Sequence, residues 1–164
     1  MEVPLISMEQ LLPFATAGEI IAKKNQSVVS VAPGATVLAA MQSMEQAHIG
    51  FLVVLDDDKL AGVLSERDCA RKVVLGQRSA QDVAVREIMT AQVVTVTPEQ
   101  KIPVCITLMH EKGIRHLPVM RGGRVVGVLS VRDLMAALIE RHERLLRRLG
   151  EERLTLMYPD PSSY

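Results

Sequence analysis

The sequence predicts an α/β protein made of α+β-type repeats: two successive β-α-β-β-α units with a helical extension at each end. The first observation is a phrase that occurs twice. Gly62-Val63-Leu64-Ser65-Glu66-Arg67-Asp68 returns as Gly127-Val128-Leu129-Ser130-Val131-Arg132-Asp133, displaced by 133 − 68 = 65 residues. The second is that the chain around each copy repeats at the same displacement. Residues 28–31 match 93–96, Pro33 matches Pro98, Met44 matches Met109, Ile49 matches Ile114, and Leu52 and Val54 match Leu117 and Val119. Self-similarity at constant offset marks a tandem repeat. The third is that each unit alternates short β-branched runs with apolar residues at helical spacing.

The resulting segments are an N-terminal extension over 1–17, one repeat over 18–80, a second over 81–142, and a C-terminal helical extension with a loose tail over 143–164. Pro4 and Pro13 limit any helix in the first fifteen residues to a short one. Thr16-Ala17-Gly18-Glu19 has capping-box spacing and predicts a helix running toward Lys24, packed across the first repeat. Residues 28–31 predict a strand stopped by Pro33-Gly34. Val37, Ala40, Met41 and Met44 predict an amphipathic helix over 36–47. The apolar runs 51–55 and 60–64, separated by Asp56-Asp57-Asp58, predict a hairpin. Ser65-x-x-Asp68 then opens a helix reaching about residue 75. A link over 76–92 holds a short helical piece near 85–89, after which the pattern repeats with Arg121-Gly122-Gly123 as the hairpin turn. Helical periodicity continues from Ser130 well past Ile139, and Gly150 either ends that helix or is tolerated within it.

Composition narrows the function. Lys+Arg and Asp+Glu balance at 19 each, so no global charge recruits nucleic acid or an anionic membrane. Aromatic residues make up 2% and Trp is absent, which leaves few platforms for stacking bases. No apolar run approaches the roughly 20 residues of a membrane helix, and the first residues lack a signal-peptide pattern; the expected location is cytoplasmic. Cys69 and Cys105 fall at non-equivalent points of the repeat in apolar helical contexts and read as reduced core thiols. His48, His110, His116 and His142 lack metal-ligand spacing, and no nucleophile, P-loop or dinucleotide motif is present. Neither a metal site nor a catalytic site is predicted. The arginines and glutamates from 140 to 153 read as a solvated helix face available for dimer contacts.

The order and spacing of these words resemble a tandem pair of CBS domains, the cystathionine-β-synthase-type regulatory module. The resemblance is carried by Val-Val-Ser-Val-x-Pro at 28–33, Val-Val-Thr-Val-x-Pro at 93–98, Arg86-Glu87-Ile88-Met89-Thr90 as a lead-in to the second copy, Ile114-Arg115-His116-Leu117-Pro118-Val119, and both Gly-Val-Leu-Ser-x-Arg-Asp phrases. It covers about residues 18–142, and more narrowly the chain is similar to small bacterial stand-alone pairs. It implies two repeats packed pseudo-symmetrically as one module, two clefts between them, a flat homodimer, and an adenosine ligand: AMP, ADP, ATP, S-adenosylmethionine or NAD(H). A protein partner regulated by the ligand is also implied. The competing readings are an interaction protein whose clefts are filled by side chains and, more remotely, a nucleotide-converting enzyme.

The resemblance assigns ribose binding to Asp68 and Asp133, whose carboxylates can accept from two hydroxyls. It places Ser65 and Ser130 at helix N-termini facing sugar or phosphate. Each Ser–Asp pair is equally a capping box, and the two roles can coexist. Arg115 and His116 stand on an otherwise apolar strand, where a phosphate, a neighbouring carboxylate or an open strand end would satisfy them. The first copy has Gly50 and Phe51 there, so the clefts are unequal. Family geometry brings Ser30 and Thr95 near the base, with Val29, Val94, Ile49 and Ile114 as adenine walls or as plain core.

Overall fold

The computed structural model describes residues 14–157; the N-terminal prolines and the tail from Tyr158 lie outside the described residues. In chain order the elements are Ala17–Lys24 (α1), Ser30–Val31 (β1), Val37–Ala47 (α2), Phe51–Asp56 (β2), Lys59–Ser65 (β3), Glu66–Cys69 (α3) running into a π-helical stretch Ala70–Val74, Val85–Ile88 (α4), Ile102–Lys112 (α5), His116–Arg121 (β4), Arg124–Ser130 (β5) and Val131–Met157 (α6). Helix α6 runs through Gly150 without ending.

The helix, hairpin and following helix of the two units correspond at the offset of 65 residues. Helix α2 ends on His48 and α5 on Gly113, both left-handed with φ 51° and 63°. Each hairpin turns on two residues of positive φ, Asp57 (46°) and Asp58 (62°) in one, Gly122 (56°) and Gly123 (79°) in the other. Such turns match the twist of the strands they join, and aspartate tolerates the conformation that glycine adopts freely. Each hairpin also carries a register shift at the same place, Val54/Leu55 and Val119/Met120. The buried residues correspond as well: Val37, Ala40, Met44, Leu52, Val54, Leu64 and Cys69 in one core, Ile102, Cys105, Met109, Leu117, Val119, Leu129 and Leu134 in the other. Burial pushes up both thiols, with the Asp68 carboxylate adding to the effect at Cys69.

The expected first strands are shorter than the sequence suggested. Over 28–31 only Ser30–Val31 forms a strand, parallel to β2, and over 93–96 only Val96 makes a bridge, to Val119. One residue explains the difference between the copies. Val53 donates its N–H to Val29 at 3.3 Å, whereas its counterpart Pro118 has no N–H to give. The ladder in the second unit therefore begins only at Val96, which donates to Pro118 O at 3.1 Å and accepts from Met120 N at 2.8 Å.

The expectation that α1 packs across the first repeat is corrected. Its buried residues Ala17 and Ile20 belong to the core of the second repeat, while Val83, Val85 and Ile88, from the lead-in to the second copy, belong to the core of the first. The attachments are equivalent. Ala17 N donates to Gln100 O and Gly18 N to Pro98 O, as Val85 N donates to Ala35 O and Arg86 N to Pro33 O. Each lead-in helix thus crosses to the other repeat. The Thr16–Glu19 capping box that opens α1 is formed, with Thr16 N donating to Glu19 Oε2 at 2.7 Å.

Gly127 and Gly62 permit this crossing, because a Cβ on Gly127 would lie 2.6 Å from Ile21 side-chain carbons and one on Gly62 would lie 2.7 Å from Met89 Sδ. Gly127→Ala should therefore lower stability by about 1–3 kcal/mol through overpacking. In a double-mutant cycle read by urea unfolding, Ile21→Ala should remove most of that loss; additive effects would show that α1 does not lie over Gly127.

Candidate functional site: a cationic cavity across the two repeats

The second copy of the repeated phrase forms a closed capping box. Ser130 N and Ser130 Oγ donate to Asp133 Oδ2 at 2.7 and 2.8 Å, and Asp133 N donates back to Ser130 Oγ at 3.3 Å. The crossing of α1 adds a third donor to Oδ2. Lys24, at its last position, donates to the same Oδ2 at 2.9 Å and to Val128 O at 3.1 Å. Burial works to raise the Asp133 carboxyl, but the Lys24 ammonium and the Ser130 donors outweigh it and hold the group below its ordinary range. Oδ1 takes none of these three bonds, and through it Asp133 can accept from a ligand hydroxyl.

The first copy is built differently. Ser65 donates to Asp68 Oδ2 from N (3.1 Å) and Oγ (2.6 Å), but Oδ1 is held by Lys72, one helical turn on, at 3.2 Å. Lys72 also donates to Ile88 O at 2.6 Å. Asp68 is thus tied on both oxygens by partners of its own repeat, Ser65 and Lys72.

A cavity of about 920 Å³ opens beside Asp133. Ser130, Asp133, Arg115, His116, Val29 and Ile49 all lie on its wall, together with Lys24 and the 26–28 stretch that follows α1. Of the remaining residues expected at a binding site, Ser30, Ser65, Asp68, Val94, Thr95 and Ile114 are not on this wall. Ser30 and Thr95 are exposed, and Val94 and Ile114 pack against the second core. The cavity is not confined to one repeat. Gly50 and Arg115, Phe51 and His116, Glu66 and Val131, Arg67 and Arg132 are pairs of positions one offset of 65 apart, and both members of each pair line it. It therefore straddles the pseudo-twofold relation between the units.

The wall is cationic although the chain is neutral. Lys24, Arg67, Arg115 and Arg132 face Glu66 and Asp133, and Asp133 is already paired with Lys24. Phe51 and His116 stack with ring centroids 4.4 Å apart and planes within 12°. Burial, then the positive charges of Arg115 and Lys24, push His116 from the usual 6.5 down to about 4. At neutral pH the imidazole is uncharged and can offer a phosphate a single N–H, leaving the arginines as the anion-binding charges. Among the described residues no cluster of three or more His, Cys, Asp or Glu side chains is arranged to hold a metal ion. None of the described helices is long and apolar enough to cross a membrane.

Two segments, residues 17–75 and 85–140, match the CBS domain family. The chain belongs to the CBS-domain family. Among curated relatives, the mitochondrial CBS domain-containing protein CBSX3 of Arabidopsis thaliana is 38% identical over 70% of this chain, which spans 58% of that relative's length. The CBS domain-containing protein YhcV of Bacillus subtilis is 30% identical over 65% of this chain and 76% of its own length. Among solved structures, a CBS-domain protein from Burkholderia ambifaria is 40% identical with a TM-score of 0.73, covering 77% of this chain and 95% of its own. The CBS domain pair of protein MJ0100, solved with 5′-methylthioadenosine and S-adenosyl-L-methionine, shares the fold at 20% identity and a TM-score of 0.70, covering 79% of this chain and 99% of its own. CBS pairs are commonly regulatory, ligand-binding modules rather than catalysts.

Sequence reasoning overlooked Lys24, Arg67, Arg132, Phe51 and Glu66. The arginines carried a signal, since both copies of the phrase contain one at the same place. Lys24 carried none, because only the crossing of α1 brings it 109 residues along the chain to Asp133.

The His116 value predicts a pH dependence. The folded-state pKa lies below the unfolded one, so as pH falls from about 6.5 to about 4 the unfolded chain takes up the proton first. The stability contributed by the neutral ring is complete above that window and lost through it. Thermal unfolding of the wild type should fall more steeply across the window than that of His116→Gln, and an NMR titration should find the ring neutral at pH 6.

Proposed function

We propose that this protein is a non-catalytic sensor of an adenosine nucleotide, which binds in the cavity and alters the packing of the repeats and hence the affinity for a protein partner. The observation that carries this reading is the Asp133 carboxylate at the start of α6, on the wall of a cationic cavity that also presents aliphatic Val29 and Ile49. An acceptor for sugar hydroxyls, cations for phosphate and apolar surfaces for a purine are the three things such a ligand needs, and they converge here. Adenosine compounds bound by the CBS pair of MJ0100 support the ligand class.

The coupling runs through Lys24. A phosphate in the cavity gives the Lys24 ammonium, 2.9 Å from Asp133 Oδ2, a second anionic partner and draws on that ion pair. Because α1 is anchored in the second core while the stretch after it lines the cavity and leads into β1, moving Lys24 shifts one repeat against the other. Linkage then converts occupancy into a change of partner affinity. The active species is a homodimer, for which the exposed Met135, Ile139, Leu146 and Leu149 along α6 supply an apolar face.

Isothermal titration with AMP, ATP and NADH should show binding by at least one of them, weakened about tenfold or more in Asp133→Ala, as expected when a hydrogen bond to a charged group is lost. Binding by none, or binding indifferent to Asp133, would remove the proposal. Light scattering should give about twice the 18.0 kDa chain mass; a monomer would refute the dimer.

A further inference from the structure

Helix α6 carries two apolar stripes. The first faces the protein's own body: Leu134 is 2% and Leu145 9% exposed, and Leu138 packs against the second core. The second lies one residue on, about 100° further round a helix of 3.6 residues per turn. There Met135, Ile139, Leu146 and Leu149 are 53%, 56%, 57% and 48% exposed. With His142, which is also exposed, they recur at intervals of 4, 3, 4 and 3 residues. That alternation is the seam of a coiled coil, the spacing that keeps one line of a helix against a second helix. No such line exists on α2 or α5, where Met41 and Val104 are each the one exposed large apolar residue.

The stripe spans about 21 Å at 1.5 Å per residue, roughly two heptads. Leu146 and Leu149 stand beyond residue 140, where the second family-matched segment ends. The charges beside the stripe are of both signs, Glu140 and Glu143 with Arg144 and Arg147. An anionic bilayer or an acidic peptide would favour a basic margin, whereas an identical helix brings both acids and bases to a self-complementary contact. We propose that α6 pairs with α6 of a second copy of this chain in a short coiled coil, and that His142 within the seam sets the strength of the pairing. A polar residue in such a seam fixes register and partner number at a cost in stability. The pairing rests on the homodimer proposed above and names the surface and the residue that govern it; it is independent of the nucleotide.

Sedimentation equilibrium of the full chain, in wild type, Leu146→Lys and His142→Leu, tests the pairing. The wild type should approach twice the 18.0 kDa chain mass as concentration rises. Leu146→Lys should raise the dimer dissociation constant about tenfold or more, by placing a charge in the seam, and His142→Leu should lower it by a similar factor, by completing the apolar line. Both positions are exposed and outside the family-matched segments, so the fold should be retained. The gain from His142→Leu is an effect that misfolding does not produce. A dimer indifferent to Leu146→Lys, or not strengthened by His142→Leu, overturns the pairing and leaves a homodimer built on another face. A wild type that stays monomeric overturns both the pairing and the homodimer, and leaves the nucleotide reading standing.

Discussion

The crossing of the two lead-in helices is the constraint from which the rest of the architecture follows. A small repeat of this kind buries only part of its sheet and helices, and the missing cover comes in each case from the segment that precedes the other repeat. Ala17 and Ile20 enter the second core as Val85 and Ile88 enter the first, each held by the same backbone hydrogen bonds. The close approach needs a glycine beneath each helix, Gly127 under Ile21 and Gly62 under Met89. Neither repeat has a complete core on its own, so the pair is held together by the same burial that stabilises each half.

The crossing also makes the site. It carries Lys24 to Asp133 and lays residues 26–29 along the cavity, so the cavity-lining aspartate of the second repeat is neutralised by a residue from in front of the first. A chain with equal numbers of acids and bases acquires a locally positive cavity because arginines from both repeats converge on it. Half-buried among these charges and stacked on Phe51, His116 stays neutral. The cavity consequently relies on permanent guanidinium charge and not on an imidazolium that ordinary pH changes would switch.

Pseudo-symmetry holds in the backbone and fails where the chemistry is. Offsets of 65 residues reproduce helix ends, hairpin turns, register shifts and core positions. Pro118 in place of Val53 shortens the second sheet by withholding one donor. Gly50 leaves room for the Glu66 carboxylate where the second repeat pairs Arg115 with Val131. The capping boxes are alike, but Asp68 is bridged by Lys72 within its own helix and Asp133 by Lys24 from afar. Duplication supplied two equivalent frames, and substitutions at a few positions made their contributions to one cavity different.

Local physics made much of this legible in advance. The repeat, the hairpins, the capping boxes at Thr16, Ser65 and Ser130, the helix over 36–47 and the core periodicity are written in short-range patterns of apolarity, turn residues and caps, which act within a few residues and therefore appear in sequence. Asp133, Ser130, Arg115, His116, Val29 and Ile49 were read from the phrases that carry them and meet on one wall. What the sequence could not decide was which repeat each lead-in helix covers, that Lys24 reaches Asp133, or that one cavity spans the pseudo-dyad while Asp68 stays off its wall. Those depend on contacts between residues about a hundred positions apart. Two near-identical repeats offer a lead-in helix two nearly equivalent places to pack, and only the complete three-dimensional arrangement chooses between them.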